Sequence, residues 1–135
     1  MSPTLAQLKA VAERTWRGPV QSIDPTNREN VYFMDTPGHG GYVVPVDSLT
    51  QDEIEKIHEY VIQTGNSFVP DPKTHQIIVF EEDCEYRVLE FLTGICRTEF
   101  LDEHGNYRIP GYKNRLESAF VKYYMKQINR RSNNV

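Results

Sequence analysis

Residues 31–46 read VYFMDTPGHGGYVVPV, two runs of β-branched and aromatic side chains on either side of a glycine-rich turn. Such runs favour extended backbone, and Pro37 with Gly38 supplies a reversal, so a β-hairpin is predicted here. Pro37 fixes one dihedral and Gly38 permits positive φ, which suits a type II turn over Thr36-Pro37-Gly38-His39. Gly40 and Gly41 leave the backbone beyond His39 without side-chain cover. His39 is therefore expected at a hairpin end beside bare amides that could hold an anion, a substrate carbonyl or a close-packed partner. The plainer alternative is that the glycines answer only to turn geometry and His39 is a solvated tip.

Upstream, Thr4 and Gln7 form the T-x-x-Q pattern that satisfies free amides at a helix start, and Leu5, Leu8, Ala12 and Trp16 follow at helical spacing. A helix near 4–16 is predicted, with Gly18 as its left-handed exit and Pro19 preventing continuation. A strand near 19–23 and a turn at Asp24-Pro25-Thr26-Asn27 should follow. Downstream, Thr50 and Glu53 make a second capping box for a helix over about 51–64, with Ile54, Ile57, His58, Val61 and Ile62 on its apolar face and Gly65 as its stop. His58 is expected to be a partly buried, hydrogen-bonded core residue. HQIIVF, residues 75–80, is a strand whose unbroken apolar run suits burial on both faces and a central place in a sheet.

From Glu82 the period turns helical, with Cys84, Val88, Phe91, Leu92 and Ile95 on one side and Glu85, Arg87 and Glu90 on the other. Leu116, Phe120, Tyr123, Tyr124 and Ile128 define a last helix over about 112–131. The expected architecture is α+β: one domain over 1–135, with a small, mainly antiparallel sheet of about three to five strands packed with about four helices.

Fifteen Lys and Arg against nineteen Asp and Glu among 135 residues give a net charge of -4, which supplies no basic field for gripping a phosphate backbone. Nonspecific nucleic-acid binding is disfavoured. No apolar run approaches the roughly 20 residues that span a bilayer, so no integral membrane protein is expected. Two cysteines, Cys84 and Cys96, and an opening MSPTLAQLKA without a charged-then-apolar leader point to a reducing cytoplasm.

FEEDCEY, residues 80–86, runs three acids into a cysteine. Acids in the first turn of a helix are favoured by its unpaired amides, so Glu81, Glu82 and Asp83 need no function. Cys84 reads as a buried thiol packing as a small hydrophobe, or as a nucleophile whose pKa the helix amides lower and the carboxylates raise. His39, His75, Asp83 and Cys84 are metal-ligand types, but no C-x-x-C, H-E-x-x-H or H-x-H spacing joins them. No metal site is assigned and no cofactor is implied. His104, in DEHGN, reads as a turn residue.

Three blocks carry a resemblance: Trp16 to Gln21, Thr36 to Gly41, and Phe80 to Tyr86. They are similar to the W-G-P, S-T-P-[SG]-H-G-G and Y-E-E-D-C-x-W blocks of an uncharacterised domain family of bacterial, plasmid and phage proteins. Here Arg17 is inserted between Trp16 and Gly18, Asp35 stands where Ser is frequent, and Phe80 and Tyr86 replace the aromatic neighbours. The resemblance covers about residues 16–95. It implies no reaction, but it implies that the blocks at 36–41 and 80–86 belong to one feature. On that reading Glu82 and Asp83 either orient His39 or receive the turn's amides, with Gly40 and Gly41 allowing the approach.

Two function classes stay open. One is a small accessory protein of a phage or mobile element that binds a host or defence protein, or sequesters a small ligand, through His39, Gly40, Gly41, Glu82 and Asp83. The other is a hydrolase-like enzyme with His39 as general base and Cys84 as nucleophile, or with the acids and His39 holding a metal. The tail YKNRLESAFVKYYMKQINRR interleaves tyrosines with Lys and Arg. It reads as an amphipathic helix with a solvated basic face, which leaves a homodimer contact or an acidic-partner surface open.

Overall fold

The computed structural model describes residues 2–65, 68–83 and 85–133. Helix α1, Leu5–Trp16, begins at the predicted box: Thr4 Oγ1 accepts from the Gln7 amide at 3.2 Å, and Gln7 Oε1 accepts from the Thr4 amide at 2.8 Å. Arg17, not Gly18, takes the left-handed exit, with φ 54°. Gly18 has another task, because a Cβ there would lie 3.2 Å from the Pro37 ring. The chain after α1 is thus pressed against the hairpin turn.

Strands β1 (Ser22–Pro25), β2 (Tyr32–Asp35), β3 (Gly40–Pro45) and β4 (Ile77–Glu81) form one antiparallel sheet in the order β1-β2-β3-β4. The first strand starts later than the sequence suggested and absorbs Asp24 and Pro25, so the reversal falls after it, with Asn30 left-handed. The hairpin of β2 and β3 forms as expected, pairing Asp35 with Gly40 and Tyr32 with Val43. Strand β4 is not central. It pairs only with β3, and its apolar run is explained instead by helices on both faces of the sheet.

Alternation sorts the strand residues between two layers. Met34, Val43 and Val79 pack with Leu8, Ala12 and Trp16 of α1. Phe33, Tyr42, Val44, Ile78 and Phe80 face the opposite way, onto α2 (Gln51–Thr64) and α3 (Tyr86–Thr93). Helix α2 keeps both of its predicted ends, the Thr50–Glu53 box and Gly65 at φ 62°. Its buried face is Glu53, Ile57, Tyr60 and Thr64, whereas Ile62 is exposed. Glu53 is held by Arg28 through Nη1–Oε1 at 2.5 Å and Nη2–Oε2 at 3.0 Å, a bidentate clamp between the loop after β1 and the start of α2. Burial works against the Glu53 carboxylate, but the Arg28 and Thr50 bonds and the Arg28 charge outweigh it and lower its pKa. Helix α4, Tyr112–Asn133, closes this layer, with Phe120 against Tyr60, Phe91 and Tyr124. Among the described residues no helix is long and apolar enough to cross a membrane.

Candidate functional site at the hairpin turn

The turn of residues 36–39 is closed by Thr36. Its amide donates to the His39 carbonyl at 2.7 Å, and its hydroxyl donates to the same carbonyl at 2.8 Å while accepting from the His39 amide at 3.3 Å. Gly38 does not have a positive φ, so the turn is not type II. The threonine side chain does the work the sequence assigned to glycine geometry, since a hydroxyl beside a turn substitutes for a backbone group.

The following glycines are required by crowding. A Cβ on Gly41 would sit 2.1 Å from the Phe80 carbonyl oxygen and 2.9 Å from the Glu81 Cα. One on Gly40 would sit 2.5 Å from Asp35 Oδ1. The approach therefore brings β4, rather than the start of α3, against the turn. The Glu82 amide continues the ladder by donating to the Gly40 carbonyl at 2.8 Å.

This ladder corrects two expectations. The acids do not occupy the first turn of α3: Glu81 ends β4, Glu82 and Asp83 lie in the connection, and the helix begins only at Tyr86. The acid in direct contact with His39 is Glu81, through Nδ1–Oε1 at 2.6 Å, rather than the Glu82–Asp83 pair. Glu81 stands opposite Gly41 in the register, and successive strand residues point to opposite faces, so the histidine meets Glu81 and not its neighbour. Cys84 lies outside the described residues.

Glu82 and Asp83 line a cleft of about 430 Å³ instead. Asp35 from β2 adds a third carboxylate, and Ser22 donates to its Oδ2 at 2.9 Å. The remaining walls are the rings of Phe33, Phe100, Tyr86 and Tyr112 and one cation, Arg97, so three carboxylates face a single positive charge. The Arg97 guanidinium lies 4.0 Å from the Phe33 ring centroid and 4.5 Å from that of Phe100. Partial burial, with Asp35, Asp83 and Glu81 close by, pushes the Glu82 carboxyl above its ordinary value, and His39 offsets this only in part. The cleft can thus accept positive charge, which would relieve repulsion among its acids.

The three sequence blocks converge at this end of the sheet: Gly18 against Pro37, the Gln21 amide on the Asp35 carbonyl at 2.7 Å, and the Gly40–Glu82 ladder. Other histidines serve elsewhere. His58 pairs with Asp71, as a half-buried core histidine should, and His75 contacts the Thr74 hydroxyl and Asp71 carbonyl in its own turn. Among the described residues no group of three or more His, Cys, Asp or Glu is placed to hold a metal ion.

Sequence reasoning missed a second polar cluster. Glu85 and Glu90, assigned to the solvent side of α3, are buried, Glu85 accepting from Tyr123 at 3.0 Å and Glu90 from Tyr42 at 2.5 Å and Tyr112 at 2.6 Å. The helical period placed these acids opposite the apolar stripe but could not reveal that α4 covers that side. No protein-family model, curated protein or solved structure matches the chain.

Proposed function

We propose that the chain is a binding protein whose cleft of Asp35, Glu82 and Asp83 receives a basic side chain of a partner protein. The observation that carries this reading is the convergence of all three sequence blocks on one end of the sheet, where they support an acid-lined, aromatic-walled cleft. An arginine or lysine entering there would meet carboxylates in excess of Arg97 for its charge and the Tyr86 and Tyr112 rings for its stem, the Phe33 and Phe100 rings being already engaged by Arg97. The resemblance to a family carried on plasmids and phages supports an accessory role in the cytoplasm, directed at a host or defence protein. Affinity capture from host lysate tests it. The wild type should retain a salt-sensitive partner that Glu82→Gln with Asp83→Asn loses while keeping the same circular dichroism. Identical capture by both proteins, or none by the wild type, refutes the reading.

A second reading rests on the His39–Glu81 contact. A carboxylate on Nδ1 fixes the tautomer and orientation of an imidazole, leaving Nε2 to take a proton from water in a hydrolysis. Turnover of ester, amide or phosphoester substrates that His39→Ala abolishes would favour this hydrolase-like alternative over the binding protein.

A further inference from the structure

Behind α3, away from the sequence blocks, a buried acid faces a cavity. Glu90 is 2% exposed, yet it lines a space of about 440 Å³ between α3, α4 and the small hairpin in which Leu101 pairs with Tyr107. Its Oε2 accepts from the Tyr42 hydroxyl and its Oε1 from the Tyr112 hydroxyl. Each carboxylate oxygen can accept two hydrogen bonds, so each retains capacity for another donor. The lining also includes the apolar Leu101, Leu116 and Phe91 and the Tyr107 ring, together with Asn27 and Asn106, and Tyr107 lies 4.7 Å from Tyr112 between centroids. Glu117 and Lys113 stand at the exposed mouth, so the acids of the cavity outnumber its bases.

We propose that this cavity is a second binding site, taking a small organic cation: an ammonium on an apolar or aromatic body, with Glu90 as counter-ion and Tyr107 against the body. A desolvated carboxylate beside aromatic rings suits such a group, because the interaction strengthens where water is excluded. Burial makes the site costly for an uncompensated charge. Burial pushes the Glu90 carboxyl up, against the opposing Tyr112 and Tyr42 bonds and the Arg97 and Arg87 charges. The phenols and the thiol around it remain neutral near pH 7: burial raises Tyr42 and Tyr112, Tyr107 reaches about 12, and the Cys96 thiol is pushed up to about 11. A bound ammonium would be the partner that makes ionised Glu90 favourable. This site differs from the acid cleft in its occupant, a free small molecule rather than a protein side chain. Tyr112 stands between the two, lining the first and bonding the acid of the second.

Calorimetric titration with phenethylamine, 2-phenylethanol and phenylacetate tests the proposal. The amine should bind, the alcohol at least about tenfold more weakly, and the acid not at all. Amine affinity should fall as the pH is lowered into the acid range, because burial raises the Glu90 carboxyl and a protonated acid is no counter-ion, and Glu90→Gln should lose about tenfold or more and show a flatter pH profile. Lys122→Glu, on the exposed face of α4, should bind as the wild type does. If Glu90→Gln fails to fold, Leu101→Trp, filling the cavity from its half-buried edge, should abolish binding while retaining a cooperative thermal transition. No heat with the amine, equal affinity for amine and alcohol, or undiminished binding by the folded variants overturns it.

Discussion

Two histidines in this protein each rest Nδ1 on a carboxylate, and they are built for different ends. His58, on α2, contacts both oxygens of Asp71, at 2.9 and 3.0 Å, with its side chain 28% exposed. Asp71 also accepts from the Lys73 amide at 2.9 Å, and its carbonyl accepts from the amides of Thr74 and His75, both at 3.1 Å, so the pair secures the loop leading into β4. His39 contacts one oxygen of Glu81, its side chain is 52% exposed, and among the described residues no other hydrogen bond reaches the side chain of that acid. The first pair is surrounded by bonds that depend on it. The second is held by a backbone that does not depend on it. A histidine–carboxylate contact therefore marks structure or function only through what else leans on the acid.

The strongest way to break the comparison is to destroy the backbone beneath His39. Gly41→Ala would drive a methyl group into the Phe80 carbonyl, and because backbone on both sides must shift, a loss of about 3 kcal/mol or more is expected in urea unfolding. A loss under about 1 kcal/mol would show that β4 can retreat. Next is the structural pair: Asp71→Asn should cost about 1 to 2 kcal/mol by the same measurement, since it weakens a charge-assisted contact at a half-buried site.

Titration sharpens that contrast. Partial burial disfavours charged Asp71, but the Lys73 amide and His58 outweigh it and hold its carboxyl below the ordinary value. An acid depressed in this way adds stability above its unfolded pKa and loses it as the pH falls through the folded one. Wild-type stability should therefore drop further than that of Asp71→Asn as the pH falls from neutral through the carboxylate range, the two curves meeting only below the depressed Asp71 pKa. The smallest effect belongs to the exposed pair. His39→Ala should change stability by no more than about 0.5 kcal/mol while weakening partner capture or abolishing turnover. A larger stability loss would move His39 into the class of His58.

What the sequence could disclose was local. Both capping boxes, the Gly65 stop and the β2–β3 hairpin are decided by residues within a few positions of one another, and all are present. The edge position of β4 was hidden because an apolar run records coverage on both faces, and α1 covers one of them from far upstream. The His39–Glu81 contact was displaced by one residue, because strand and helix patterns meet at Glu81 and a single step reverses which side a carboxylate takes. Glu90 could not be found at all. Its partners, Tyr42 and Tyr112, come from β3 and α4, and only tertiary packing brings them together.

The ladder between β3 and β4 also has an order of assembly. Pro45–Ile77 is the pair separated by the shortest stretch of chain, and Gly41–Glu81 the pair separated by the longest, with all of α2 inside the loop being closed. Since loop closure costs more entropy the longer the loop, pairing should begin beside α2 and zip toward the turn. The Gly40 carbonyl and the Glu82 amide join beyond the last named pair, so His39 and its acid come together only when the sheet is otherwise complete. Nascent or clipped chains lacking β4 would carry every residue of TPGHGG and still present no site.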